Sequence, residues 1–231
     1  MLIEEHKGIG VVRDDLFPGG TKARFVPELF DGTDELVYAS PAQGGAQYAI
    51  AFVAAQLGKR ATIFIADRRV PHPRQIEAKR LGAKIVFVKN GYLAVVQKRA
   101  RDYAAEVGAR LAPFGMDCSE AIEMISAAAL KLEENPDEVW CAAGSGTLTR
   151  ALQKAWPRAQ HVAVAYGRDI PQEKIGAARQ LRYPKPFEHL SRVVPPFPCD
   201  RHCDAKAWEI ATARKRAGRC IFWNVVAPAN A

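Results

Sequence analysis

The sequence predicts an α/β protein with parallel sheets flanked by helices, and three observations carry this. From about residue 36 onward, short apolar runs alternate with longer helical segments, the pattern of strand–helix–strand units. Gly58, Gly82 and Gly108 each close a helical segment, at the position where the chain turns left-handed. The 231 residues are 48% hydrophobic, yet no apolar run reaches membrane-spanning length, which suits one globular unit or two closely joined lobes around a real core.

Taken in order, residues 12–29 begin with an apolar-acidic run that breaks at Phe17-Pro18-Gly19-Gly20. Thr21 is placed to cap a helix beginning at Lys22. Residues 36–39 read as a buried strand, broken by Ser40-Pro41-Ala42-Gln43-Gly44-Gly45. The helix over 46–57 is small or apolar on nearly every face, so it is expected to be buried. A strand over 61–66, a short polar helix over 73–81, a strand over 84–88 and a helix over 93–107 follow, and 110–112 leads into Pro113-Phe114-Gly115. Ser119, with Asp117, is expected to cap a helix running to about 134. Next come a strand over 138–142, a helix over 147–156 and a strand over 161–165. Residues 167–200 are Pro-rich and irregular, a kind of long loop that is often functional. A helix over 204–217 capped by Gly218 and a strand over 220–226 complete the chain, with no internal repeat.

The formal net charge of +8 favours anionic ligands: phosphorylated cofactors, nucleotides or nucleic acid. The densest basic cluster, Arg214-Lys215-Arg216 with Arg219, reads as a solvated helix end. Five cysteines are an odd number, against a disulfide framework. Cys199-x-x-x-Cys203 with His202 lacks a second ligand pair at metal spacing, so no metal is expected. The opening Met-Leu-Ile-Glu-Glu-His is acidic where a signal peptide is basic, which predicts a cytoplasmic protein without a membrane role.

Two stretches carry chemistry. A lysine on the first turn of a helix sits at the positive end of the dipole, and Arg24 adds charge beside Lys22. Both disfavour the ammonium form, and an amine of lowered pKa is what Schiff-base chemistry needs. An exposed lysine beside a loop accounts for the same residues. The second stretch, 139–147, reads as strand, Gly-rich turn and helix start. Its glycines let backbone N–H groups approach an anion, the helix start adds positive potential, and Ser145 and Thr147 offer hydroxyls. A phosphate would sit there; a plain tight strand-to-helix turn is the alternative. The Gly-Lys-Ser/Thr tail of a P-loop and the dinucleotide-binding spacing are both absent.

Arg13-Asp14-Asp15-Leu16, followed by Gly19-Gly20-Thr21-Lys22-Ala23-Arg24, resembles the lysine segment of the 1-aminocyclopropane-1-carboxylate deaminase and D-cysteine desulfhydrase group. These are fold-type-II pyridoxal-phosphate enzymes whose pattern runs R-D-D-L, a short loop, then G-G-N-K-x-R. Here the loop is shorter and Thr21 replaces Asn. Gly144-Ser145-Gly146-Thr147 is similar to the family's phosphate loop G-S-G-G-T, with one glycine fewer. In 40–48, Gln43 matches the family's Gln, while Gly44 and Gly45 stand where Ser and Asn are usual. Pro113-Phe114-Gly115 is similar to P-x-G-G-S without its Ser. In the closing strand, Asn224 stands at the family's His, and Val225-Val226-Ala227 replaces Thr-Gly-Gly. Residues 204–208 resemble Y-x-x-K-A, with Cys203 or His202 where a Tyr is common. The resemblance spans about 11–226 of a chain shorter than the usual members.

What the resemblance implies is a two-lobed fold-type-II enzyme, similar to the tryptophan synthase beta subunit. The smaller lobe would be 34–113 and the larger, cofactor-binding lobe 1–33 with 114–231. Pyridoxal 5'-phosphate would lie in the cleft, in a homodimer. Lys22 would be the Schiff-base lysine and the general base and acid. Gly144, Ser145, Gly146 and Thr147 would hold the phosphate, and Gln43, Gly44 and Gly45 would face the ring and the substrate carboxylate. Asn224 would lie near the pyridine nitrogen, or be only a strand-end capping amide. His202 would exchange protons with the substrate. The implied activity is that of a lyase or deaminase acting on an amino acid or an amine derived from one. The glycines at 44 and 45 open room for a larger substrate, unless Ser40 or Gln47 takes over the lost roles. Ser-Pro-Ala-Gln-Gly and Pro-Phe-Gly also resemble short pyridoxal-phosphate proteins of bacterial viruses that build hypermodified thymidines. That alternative implies adding an amino acid to, or decarboxylating one on, a modified base in DNA, in the host cytoplasm, with the base taken out of the stack or reached in single strands. A third alternative is a non-catalytic binding protein with this fold. Tyr38, Tyr92 and Tyr166 are expected in core or pocket walls, and Lys206 in a structural or surface place.

Overall fold

The computed structural model describes residues 1–228 except 90 and 217. It divides into two compact units, one of residues 1–21 and 117–228, the other of residues 22–116. In chain order the elements are β1 (Ile3–His6), β2 (Ile9–Arg13), α1 (Val26–Leu29), β3 (Glu35–Ser40), α2 (Ala46–Leu57), β4 (Arg60–Ala66) and α3 (Pro73–Arg80). They continue with β5 (Lys84–Val88), α4 (Leu93–Val107), β6 (Arg110–Leu111), α5 (Ser119–Leu130), β7 (Glu138–Ala143) and α6 (Thr147–Ala155). The last are β8 (Gln160–Ala165), α7 (Gln172–Ile175), β9 (Arg179–Arg182), α8 (Asp204–Arg214) and β10 (Cys220–Asn224). Short 3-10 turns occupy Asp14–Leu16, Thr21–Arg24 and Phe114–Met116.

In the unit of residues 22–116, four parallel strands pair in the order β5-β4-β3-β6. β3 is buried along its whole length, as expected of a parallel strand covered on both faces. Val96, Ala100 and Ala104, one face of α4 at i, i+4 spacing, pack on Val37, Ala39, Phe64 and Val88. Gly58 and Gly108 close α2 and α4 at φ +64° and +68°, a backbone that costs glycine little. Tyr38 lies in this core, whereas Tyr92, expected in a core or pocket wall, is 85% exposed.

In the other unit, six strands pair in the order β1-β2-β10-β7-β8-β9. β1 and β2 form an antiparallel hairpin. Its two-residue turn, Lys7-Gly8, has φ +53° and +69°, the mirror-image turn that matches strand twist. The remaining pairs are parallel. Trp208, Phe197 and Phe222 meet edge-on or tilted at 5.0–6.1 Å in the core beneath α8.

Several expectations need correction. No long helix starts at Lys22. Thr21–Arg24 is a 3-10 turn, and α1 restarts at Val26 with Pro27 in its first turn. Pro27 inside a continuous helix would remove an i→i−4 bond and clash with the preceding turn. The helix expected to run to about 134 ends at Leu130, and Cys118 makes no side-chain cap. Asp117 instead binds Arg150 and Lys174. The irregular stretch 167–200 contains α7 and the edge strand β9. The final helix ends at Arg214, with Lys215 rather than Gly218 at its C-cap; residue 217, its expected end, lies outside the described residues. The basic cluster is not simply solvated: Arg219 grips Glu134 at 2.6 and 2.8 Å and also reaches Glu5. All five cysteines are free thiols. Among the described residues, no helix is long and apolar enough to cross a membrane.

Candidate functional site

In the unit of residues 1–21 and 117–228, β2, β10, β7 and β8 run parallel, so their C-terminal ends share one edge of the sheet. That edge is where open α/β sheets bind ligands. It carries Arg13-Asp14-Asp15, Asn224, Gly144–Thr147 and Tyr166.

The acidic motif explains how the chain reaches Lys22. Arg13 holds Asp15 through two bonds of 2.9 Å and Glu4 through one of 2.6 Å. Asp14, fully buried, accepts the Thr21 hydroxyl at 2.6 Å. Trp223 Nε1 donates to the same hydroxyl oxygen at 2.9 Å, and Thr21 N–H donates to the Val225 carbonyl at 2.9 Å. Thr21 is thus a buried hub rather than a helix cap. The turn leading into it needs glycine: Gly20 has φ +68°, and a Cβ there would lie 2.5 Å from the Val225 carbonyl.

The 144–147 loop joins β7 to α6. Ser145 Oγ and Thr147 Oγ1 lie 2.9 Å apart, and α6 has nine residues. Its first turn leaves N–H groups without intrahelical acceptors, which with the hydroxyls form a donor set suited to an oxyanion. Both glycines are required by packing. A Cβ on Gly144 would collide with the Tyr166 hydroxyl, and Gly146, at φ +82°, with the Lys174 carbonyl. At the end of β10, Asn224 is fully buried; its Nδ2 donates to the Pro198 carbonyl at 2.8 Å. That bond fixes which end of the amide is the donor, and Oδ1 has no partner among the described residues. A buried acceptor of this kind costs about 1–3 kcal/mol until an N–H meets it.

His202 lies just ahead of α8. Its Nδ1 is 3.2 Å from the Phe187 carbonyl and its ring 5.4 Å from that of Phe187. A carbonyl only accepts, so Nδ1 carries the hydrogen; Nε2 is an acceptor only in the tautomer that has its single hydrogen on Nδ1. The sequence reading did not single out Tyr166 and Cys203 as a pair. The Tyr166 hydroxyl is hydrogen-bonded to Cys203; the electrostatic influence of Cys203, then burial, hold the phenol well above its ordinary pKa. The only local signal was a tyrosine directly after the apolar run of β8. Lys206 is wholly buried and its pKa is lowered by burial. No three His, Cys, Asp or Glu residues among those described gather as a metal site.

In the unit of residues 22–116, Lys22 is half-buried on the 3-10 turn, and its carbonyl accepts the Phe25 N–H at 3.3 Å. Gln43, Gly44 and Gly45 are half-buried at the C-terminal end of β3, just before α2. Gln47, fully buried, braces this loop: its Nε2 donates to the carbonyls of Ala42 at 2.8 Å and Gly44 at 3.0 Å. Ser40 Oγ donates to the Pro41 carbonyl at 2.8 Å. Both side chains proposed to replace the missing Ser and Asn are therefore engaged with the loop itself.

No protein-family model and no curated protein sequence matches the chain. Solved structures do. A structure described as an ACC deaminase homologue superposes with TM-score 0.79 at 16% identity, covering 94% of this chain and 84% of its own. The processed form of threonine deaminase isoform 2 from Solanum lycopersicum gives 0.74 at 14%, covering 97% and 76%. Maize serine racemase gives 0.74 at 13%, covering 96% and 84%. The fold is therefore the fold-type-II α/β architecture, as the lysine and glycine motifs led us to expect.

Proposed function

We propose that the chain is a pyridoxal-phosphate-dependent enzyme of lyase or deaminase type, acting on an amino acid or an amine derived from one. The observation that carries this is the hub at Thr21. Three bonds fix the backbone immediately before Lys22: Thr21 donates to Asp14 and to the Val225 carbonyl and accepts from Trp223, and such anchoring suits a reacting amine that must be held in place. Pyridoxal phosphate, when bound, supplies the electron sink for bonds at the carbon next to the amine. Lys22 would carry the cofactor and then take and return the proton at that carbon. Ser145, Gly146 and Thr147 would hold the phosphate, with Gly144 keeping the loop beside Tyr166. The unpaired Oδ1 of Asn224 would accept a ring N–H. His202 Nε2 would exchange a proton with the substrate. Gln43 would face the ring, and Gly44 and Gly45 would leave space for a substrate larger than a small amino acid.

The test is an absorption spectrum of the protein with pyridoxal phosphate, then borohydride reduction and peptide mapping. We expect the label on Lys22, and its loss in Lys22→Ala. A label on another lysine, or no visible band, overturns the reading and leaves the non-catalytic alternative. The charge of +8 and the paired glycines favour one second reading: modification of an amino-acid-bearing base in viral DNA. It requires single-stranded DNA binding that weakens steeply with salt; salt-independent or absent binding rules it out.

A further inference from the structure

We infer that the cavity at the ends of β8 and β9 is a binding site for a phosphate-ester group, held by Arg168, Arg182 and Lys185. The inference rests on the proposed enzyme reading in one respect: it names a distal group of that enzyme's substrate. The cavity measures about 650 Å³ and is lined by 167–168 and 182–188. That volume lies within the range of small-molecule sites.

Three lines support an anion there. The first is its lining. Arg168, Arg182 and Lys185 face one lining acid, Glu188. Arg182 also lies 3.7 Å from Asp169, both exposed. Arg168 and Lys185 have no acidic partner among the described residues.

The second is Lys206, behind the cavity wall. It is wholly buried, and its Nζ donates to the carbonyls of two lining residues, Phe187 at 2.9 Å and Pro186 at 3.2 Å. It also lies over the rings of Tyr183 at 5.1 Å and Phe187 at 5.3 Å. None of these partners is an anion. A buried ammonium is costly, Cys203, Glu188 and Asp200 act on it only through space, and a further ligand anion nearby in low dielectric adds to that offset.

The third is the backbone. In a trans peptide the N–H points opposite to the C=O. With the Pro186 and Phe187 carbonyls turned to Lys206, the N–H groups of Phe187 and Glu188 point away from it, and they donate to no described residue. Successive N–H groups directed this way make an anion-binding concavity. Tyr183, whose hydroxyl donates to Glu209 at 2.8 Å, anchors the segment.

The phosphate can belong to a free small ester or to a nucleic-acid backbone. Inorganic phosphate, a 5'-mononucleotide and a short single-stranded oligonucleotide are titrated onto the full chain and onto Arg182→Ser/Lys185→Ser. Both changes are on exposed side chains, and circular dichroism checks the fold. We expect phosphate and the mononucleotide to bind the parent, and affinity to drop about tenfold or more in the double variant. Lys22→Ala is expected to bind as the parent does, and the double variant is expected still to label at Lys22. Binding that is unchanged in the double variant, absent from the parent, or lost only with Lys22 overturns the inference. A mononucleotide that matches the oligonucleotide identifies a small ester; an oligonucleotide that binds much more tightly identifies nucleic acid. A chain that binds phosphate here but fails to label at Lys22 keeps this site and loses the enzyme reading. Lys206→Met is expected to weaken the mononucleotide further; should it not fold, the double variant decides.

Discussion

At the scale of single residues, one hydroxyl governs the approach to Lys22, the amine of the proposed chemistry. Thr21 Oγ1 both donates to Asp14 and accepts from Trp223 in a fully buried setting. Thr21→Val keeps the shape, removes one bond to Asp14 and takes the acceptor from the Trp223 indole N–H. A buried donor left unsatisfied costs about 1–3 kcal/mol, so we expect a loss of about that size in urea unfolding. Thr21→Ser should recover most of it. Gly146→Ala is a different case. Its backbone is left-handed and its new methyl would meet the Lys174 carbonyl, which belongs to the main chain and cannot swing aside. We expect a loss above about 1 kcal/mol and, on the proposed reading, weaker retention of pyridoxal phosphate, read by dialysis. A variant as stable as the parent would show that the loop tolerates a side chain.

At the scale of elements, what was legible follows from physics that acts locally. The expected bounds of α2, β5 and α4 coincide with those observed, because apolar periodicity and a closing glycine are both written into neighbouring residues. β9 was not legible. Its residues, Arg179-Gln180-Leu181-Arg182, are mostly polar, and it is a strand because the edge of β8 offers it hydrogen bonds. The β1–β2 hairpin was overlooked although Lys7-Gly8 is a turn signal, since its strands carry charge at Glu4 and Glu5. The candidate site divides the same way. The 144–147 loop was visible as a strand–glycine–helix junction. The Thr21 hub was not, because Asp14 and Trp223 come together from opposite ends of the chain. The meeting of Tyr166 with Cys203, and the burial of Lys206, are likewise products of tertiary packing that no spacing rule reports.

At the scale of the molecule, the charge pairs set the acid limb of stability. Burial lowers the pKa of His161 below its ordinary 6.5, so the unfolded state takes the proton first and stability falls as pH drops through about 6.5. Hydrogen bonds from Arg219 lower Glu134 below 4.5. Its contribution is therefore present above about 4.5 and lost as pH falls through its lower folded value. Asp117 follows Glu134: burial pushes it up, but the bonds from Lys174 and Arg150 outweigh this. Urea midpoints should decline in two stages, first near neutrality and then in acid. Arg219→Gln should remove part of the second stage, by less than about 1 kcal/mol because the pair is partly screened. A single-stage decline would show that His161 is not coupled to folding.

The order of the strands also has a consequence for synthesis. β2 is complete by residue 13, yet its parallel partner, β10, supplies Ile221 to Asn224 opposite Gly10 to Arg13. A growing chain therefore carries an open β2 edge while residues 22–116 emerge with all four strands of their own sheet already present. Such an unpaired edge invites pairing with other chains. The window of greatest exposure to aggregation is thus the interval between translating residue 116 and translating residue 224, and truncations ending within it should be recovered mainly as insoluble protein.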